Sequence, residues 1–424
     1  MKRPNISAVL LRPSTWVAPY MALWFAVGLL PIQPTDLDIF FWPSAKLAVT
    51  GHPLLVYAAA GHNPYPNANG PLALVPLSLV GLFVNAFGWL DATTQRRAAA
   101  LLVFSVFLLL MTREAVAAIE RVRGRPLAAY PRLFACAVIA LGPQAWQSVA
   151  GYGHIEQPIE IWMLLLAARL LDRDRAGRAG IAFALAVLSR SSAGLLALPL
   201  GLAAWQKHPT AALRLLIAGG ITGVAGLLPF LLADPSDVIH SLFTYRGGLV
   251  VGAGSIWSLS YGSGLEAVVQ HWDIAAVVAC GLAANLWLAA RPGGLDRSRL
   301  FAAMTLSSAS FAMLAKTVWP YYLFEVFVFG TVWAFGRWKP ADGIVRLVFV
   351  PLAISVFGMV AEVGPEQGLA TRLVQLEGAG MFVMLGLTAG WILWVSSARG
   401  RPAKGISPAS TPLERYGYGS ERAD

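Results

Sequence analysis

Apolar runs of roughly 15 to 22 residues recur along almost the whole chain, each broken by a short basic stretch. A soluble core helix needs one apolar stripe, whereas runs of this length with so few charges fit helices surrounded by lipid. Composition agrees: 57% of the 424 residues are hydrophobic and 13% charged, against about 25% charged in an ordinary soluble domain. The expected fold is therefore all-α and polytopic. The first run follows Lys2, Arg3 and Arg12 and lacks a small-residue cleavage site, so it reads as a retained helix. Cys136 and Cys280 both lie inside apolar runs, which fits buried structural cysteine and gives no disulfide or metal spacing.

Candidate spans are 16–30, 98–118, 132–150, 156–171, 179–190, 191–206, 212–232, 273–290, 300–316, 321–336, 343–362 and 378–396. The apolar stretch 71–90 is the ambiguous one. If it crosses, "ERVRGRP" and "LDRDRAGR" fall outside, against the positive-inside bias. If it re-enters or lies at the interface, 25 of the 32 basic residues share the cytoplasmic side. That arrangement gives about twelve crossings of the cell membrane with both termini inside. It also explains the net charge of +10 without nucleic acid. Residues 1–397 then form one transmembrane domain, with 33–97 an outer loop carrying juxtamembrane helices. The polar tail 398–424 reads as disordered and cytoplasmic.

Sidedness sorts the chemistry. "TDLDIFFW" places Asp36 and Asp38 where the chain leaves the first span. Helix capping accounts for an aspartate there; so would a general base or a cation ligand. "GYGHIEQPIEIW" opens a later span with His154 and Glu156, and Glu160 follows one turn deeper. Ionisable groups at such depth are costly and usually functional. Arg190, Arg246 and Lys316 fall at outer ends of spans, where snorkelling is the plain account and an anionic lipid phosphate the functional one. Tyr245, Trp257 and Tyr261 lie in a long Gly/Ser/aromatic loop and suit sugar stacking or interface anchoring. Tyr321 and Tyr322 share the edge "KTVWPYY" with Lys316.

These pieces, in this order, resemble the GT-C membrane glycosyltransferases, and most closely glycosyltransferase family 87, the polyprenyl-phosphate-mannose-dependent mannosyltransferases. The resemblance runs from residue 15 to 336 and rests on four degenerate elements. One is the outer loop Asp36-Leu37-Asp38-Ile39-Phe40 with Gly51, Tyr57 and the Pro-rich "NPYPNANGP"; another is Gly153-His154 opening a span. The others are "RAGIAFALAVLSR" ending at Arg190, and "WPYY". Where the family reads Gly-Gln-x-Asn, this chain has Gly153-His154-Ile155-Glu156.

The resemblance implies a GT-C fold and transfer of a sugar, mannose by expectation, from a polyprenyl-phosphate donor to a glycolipid or glycan acceptor on the outer face. It assigns Asp36 as the base. His154, Arg190, Arg246, Lys316 and Tyr322 become candidates for the carrier phosphate. It implies no nucleotide cradle, no metal ligand set and no certain cofactor, a divalent cation being compatible with the two carboxylates. A transporter or flippase of lipid-linked sugars, or an inactive relative in polysaccharide assembly, would share many spans and polar sites. No internal repeat of the transporter kind is visible.

Overall fold

The computed structural model describes residues 10–30, 36–57, 67, 69–83, 92–252, 254–260, 263–337 and 369–397. The expected span 343–362, the tail 398–424, most of "GHNPYPNANGP" and Tyr261 lie outside them, as does the side chain of Arg246. Every regular element among the described residues is helical.

In chain order the principal helices are α1 (Val17–Gly28), α2 (Trp42–Val49), α3 (Pro71–Phe83), α4 (Ala92–Arg123), α5 (Ala129–Leu141), α6 (Glu156–Asp172) and α7 (Ala176–Ser189). They continue as α8 (Ala197–Lys207), α9 (Pro209–Ala233), α10 (Leu265–Ala289), α11 (Arg297–Leu314), α12 (Leu323–Arg337) and α13 (Leu369–Ser397). Each span expected within the described residues has a helical counterpart. Five segments are long and apolar enough to cross a membrane: α4, Ala129–Gly151, α9, α10 and Gly378–Ser396.

Burial separates an inner from an outer layer. α12 is buried from Leu323 to Gly336 and α11 from Arg299 to Ala312. Both pack with α4 and α6 into one apolar core containing Phe104, Leu108, Leu164, Phe324 and Trp333. By contrast α9, α10 and α13 carry large apolar side chains outward, among them Ile221, Leu232, Trp272, Leu387 and Trp394. A helix that is apolar on its solvent side is stable only where the solvent is lipid. These apolar helices are compatible with a multi-pass membrane protein.

Close approaches rest on small residues. α7 crosses α9 where a Cβ on Gly180 would overlap the Leu215 carbonyl, with Gly219 facing it. Lacking a hydrophobic driving force between helices in lipid, such contacts let backbones gain dispersion directly.

Two details differ from the sequence expectation, and a third bears on its ambiguous stretch. The span 132–150 is broken: α5 stops at Leu141, and Gly142-Pro143 starts a short helix that widens into a π turn over Gln147–Gly151. α10 begins at Leu265, eight residues before the expected 273, so that its first two turns, with Glu266 and Gln270, precede the apolar run. The apolar stretch 71–90 contains α3, 13 residues with Pro76 inside it. The described part is about 20 Å of helix.

Candidate active site

Asp36 precedes a π turn, Leu37–Phe41, at the top of the bundle. Leu37 and Phe41 are fully buried anchors, and the Leu37 amide donates to the Tyr152 carbonyl at 3.2 Å. Although Asp36 stands at the N-cap position, its side chain makes no capping hydrogen bond. It turns instead toward the segment 152–156.

That segment is shaped by Gly153, whose φ of +80° is a conformation that favours glycine. The reversal lets the His154 amide donate to Ser148 O at 2.7 Å and aims the imidazole at the π turn. His154 Nε2 then lies 2.8 Å from Asp36 Oδ2, while Nδ1 bonds the Glu156 carboxylate. The ring stacks on Tyr321 with centroids 3.8 Å apart and meets the edge of Phe41. Tyr321 is itself fixed by Gln157, whose Nε2 donates to its carbonyl at 2.9 Å, and Gln157 also bonds the Ser148 hydroxyl.

A carboxylate is an acceptor only, so both imidazole nitrogens donate and His154 is a cation. Burial alone would push its pKa down; the Glu156 charge and then Asp36 outweigh this and raise it to about 9. Glu156 is sealed, whereas the Asp36 side chain is 18% exposed. The arrangement is a carboxylate at the surface, oriented by a histidine that is backed by a second, buried carboxylate.

One turn deeper on α6, Glu160 faces Arg190, which sits in the extended break after α7. Arg190 Nη1 is 3.8 Å from Glu160 Oε2 and 3.5 Å from Glu325 Oε1. Ser308 donates to Glu325 at 3.0 Å, and the guanidinium lies 4.9 Å over the Tyr322 ring. Tyr321 and Tyr322, packed edge to face, join this cluster to the His154 group.

The remaining sequence candidates have other surroundings. Asp38 pairs with Arg96 at 2.5 Å, and Arg96 lies over the Trp42 ring. Lys316 donates its amide to Asp273 and its ammonium to Gln270 O, each at 2.9 Å, tying the end of α11 to α10. Trp257 Nε1 donates to Leu314 O at 2.6 Å, and Tyr245 meets the edge of His240. The structure thus brings together Asp36, His154, Glu156, Arg190, Tyr321 and Tyr322.

Sequence reading had not singled out Glu325, Arg96, Ser148 or Gln157. Glu325 carried a usable signal, a lone acid in the apolar run "YYLFEVFVFG". Arg96 did not, since only the fold brings it to Asp38. Among the described residues no group of three His, Cys, Asp or Glu could hold a metal. No family model matches the sequence, and no curated protein is significantly similar to it.

Proposed function

We propose that this protein is a membrane glycosyltransferase, transferring a sugar, with mannose the expected one, from a polyprenyl-phosphate carrier to a glycolipid or glycan acceptor at the outer face. The observation that carries this reading is the turn of Asp36 away from capping and onto His154, 2.8 Å away. Capping was the plain explanation of an aspartate at that position, and the side chain makes no such bond. What remains is an oriented, partly exposed carboxylate, which is what a general base requires.

In the reaction, an acceptor hydroxyl gives its proton to Asp36 as its oxygen attacks the anomeric carbon. The bond from that carbon to the phosphate oxygen breaks, and the lipid phosphate leaves with inversion at the carbon. His154 holds one oxygen of Asp36 in place, and Glu156 holds His154, so positioning is set before substrate arrives. Arg190 already faces two carboxylates, which favours a role in fixing Tyr321 and Tyr322 over direct phosphate binding.

A second reading has its own support. Glu160, Glu325 and Arg190 form a buried ionic cluster inside the bundle, and intramembrane charges also mark transport paths. One experiment separates the two. Membranes containing the protein are incubated with radiolabelled polyprenyl-phosphate sugars, and label is followed into glycolipid and polymer. The glycosyltransferase reading expects a new covalent product; carriage of intact label across the membrane without such a product favours the transporter.

A further inference from the structure

A second site lies at the other end of the same helices. Asp38 contacts Arg96 near the start of α4, and Arg121 lies 25 residues along it, about 37 Å away. Glu156 and Asp172 likewise mark the two ends of α6, about 24 Å apart. Between the far ends of α4, α6 and α8 and the start of α11 is a cavity of about 360 Å³, within the size range of small-molecule sites.

Its lining has two parts. Ala168, Ala203, Leu300 and Phe301 give it apolar surface, and Arg121, Lys207 and Arg297 with Asp172 and Asp296 give it charge. The acids have assigned tasks. Asp296 caps α11, accepting from the Arg299 amide at 2.8 Å, and Asp172 holds Arg297 at 2.6 Å. Lys207 bonds the Leu171 carbonyl and Asp174.

Positive charge is less well matched. Arg121 and Arg169 share the single carboxylate of Glu114. Among the described residues Arg121 Nη2 is buried without a hydrogen-bond partner. Arg299 bonds three carbonyls (Pro292, Gly294 and Ser396) and, among the described residues, no carboxylate. The start of α11 adds the positive end of its dipole.

We infer that this cavity binds a phosphate-bearing lipid, its head group on Arg121 and Arg297 and its chain along Leu300 and Phe301. A buried guanidinium donor lacking a partner is costly, and a phosphate oxygen satisfies it with a charge-assisted bond. The apolar surface favours a lipid over a free anion, and basic pockets between helices at a membrane face take such head groups. The inference is independent of the proposed transferase activity.

The test uses the full chain in neutral detergent, with binding read by native mass spectrometry. Phosphatidylglycerol, phosphatidylcholine and inorganic phosphate are titrated separately. One phosphatidylglycerol should bind per chain, roughly tenfold or more tighter than phosphatidylcholine, with no saturable binding of inorganic phosphate. Loss of one charged contact corresponds to roughly tenfold weaker binding, expected for both Arg121→Gln and the more exposed Arg297→Gln. Arg214→Gln, on α9 outside the cavity, should bind like the wild type. The inference is overturned if phosphatidylglycerol fails to bind, or binds no better than phosphatidylcholine. Unchanged affinity in a folded Arg297→Gln also overturns it. Saturable binding of inorganic phosphate as tight as that of the lipid would mark a free-anion site and overturn the lipid assignment.

Discussion

The imidazole of His154 bridges two carboxylates, with Nε2 2.8 Å from Oδ2 of Asp36 and Nδ1 on Glu156. The ring reaches Asp36 from 118 positions along the chain and is itself clamped against Tyr321. The charge on that ring has a consequence for stability. Its pKa in the folded protein, about 9, lies above the ordinary 6.5. A raised pKa contributes stability that is complete below pH 6.5 and is lost as pH rises through 9. The wild type should therefore lose stability between pH 6.5 and 9, by on the order of 3 kcal/mol, and His154→Gln should show a flatter profile. Thermal unfolding in detergent across pH 6 to 10 measures this; parallel profiles would contradict it.

Arg190 should be more sensitive than the carboxylates it serves. Its removal leaves Glu160 and Glu325 buried beside each other, and breaking a buried pair on one side costs about 3–5 kcal/mol. Arg190→Met should unfold at much lower temperature. Adding Glu160→Gln and Glu325→Gln to it should restore part of the loss, since the uncompensated charge goes with them. Thermal unfolding of the single and triple variants gives the comparison.

Two glycines in α7 offer an internal contrast. A Cβ on Gly180 would strike the Leu215 carbonyl of α9, whereas one on Gly177 meets nothing within 4 Å. Gly180→Ala should destabilise by about 1–3 kcal/mol. Gly177→Ala should be neutral or stabilise, by up to about 1 kcal/mol, through helix propensity. Equal melting temperatures for the two variants would mean that α7 and α9 are not closely packed there.

Much of the fold was legible because lipid-facing helices write long apolar runs into the sequence, and each expected span within the described residues has a helical counterpart. The exceptions have local causes. Gly142-Pro143 interrupts an otherwise continuous run, and α10 extends above its apolar window through Glu266 and Gln270. At the site, the sequence marks His154, Glu156 and Glu160 as ionisable groups opening one span, and the contact of His154 with Glu156 comes from the fold. The contacts of Asp36 with His154, Asp38 with Arg96 and Arg190 with Glu325 come from it as well. They join distant segments, and nothing in a single sequence records which acid meets which base across a bundle.

The sidedness of the bundle makes a separate prediction. Thr93 is exposed at the start of α4 and Asp174 at the turn after α6. In the orientation set by the basic loops, Thr93→Cys should react in intact cells with an impermeant thiol reagent. Asp174→Cys should react only after the membrane is opened. The opposite pattern would invert the topology and place Asp36 inside.

The most direct measurement compares sugar transfer by Asp36→Asn and Asp38→Asn in the same membranes. Asp36→Asn keeps the shape of the side chain and removes the base, which contributes about 100- to 10,000-fold in rate. Asp38→Asn breaks a partly exposed ion pair with Arg96, worth about 0–1 kcal/mol. The account predicts that Asp36→Asn abolishes transfer in a folded protein while Asp38→Asn retains most of it. Near-normal transfer by Asp36→Asn, with the wild type active, would contradict the assignment of Asp36 as the base.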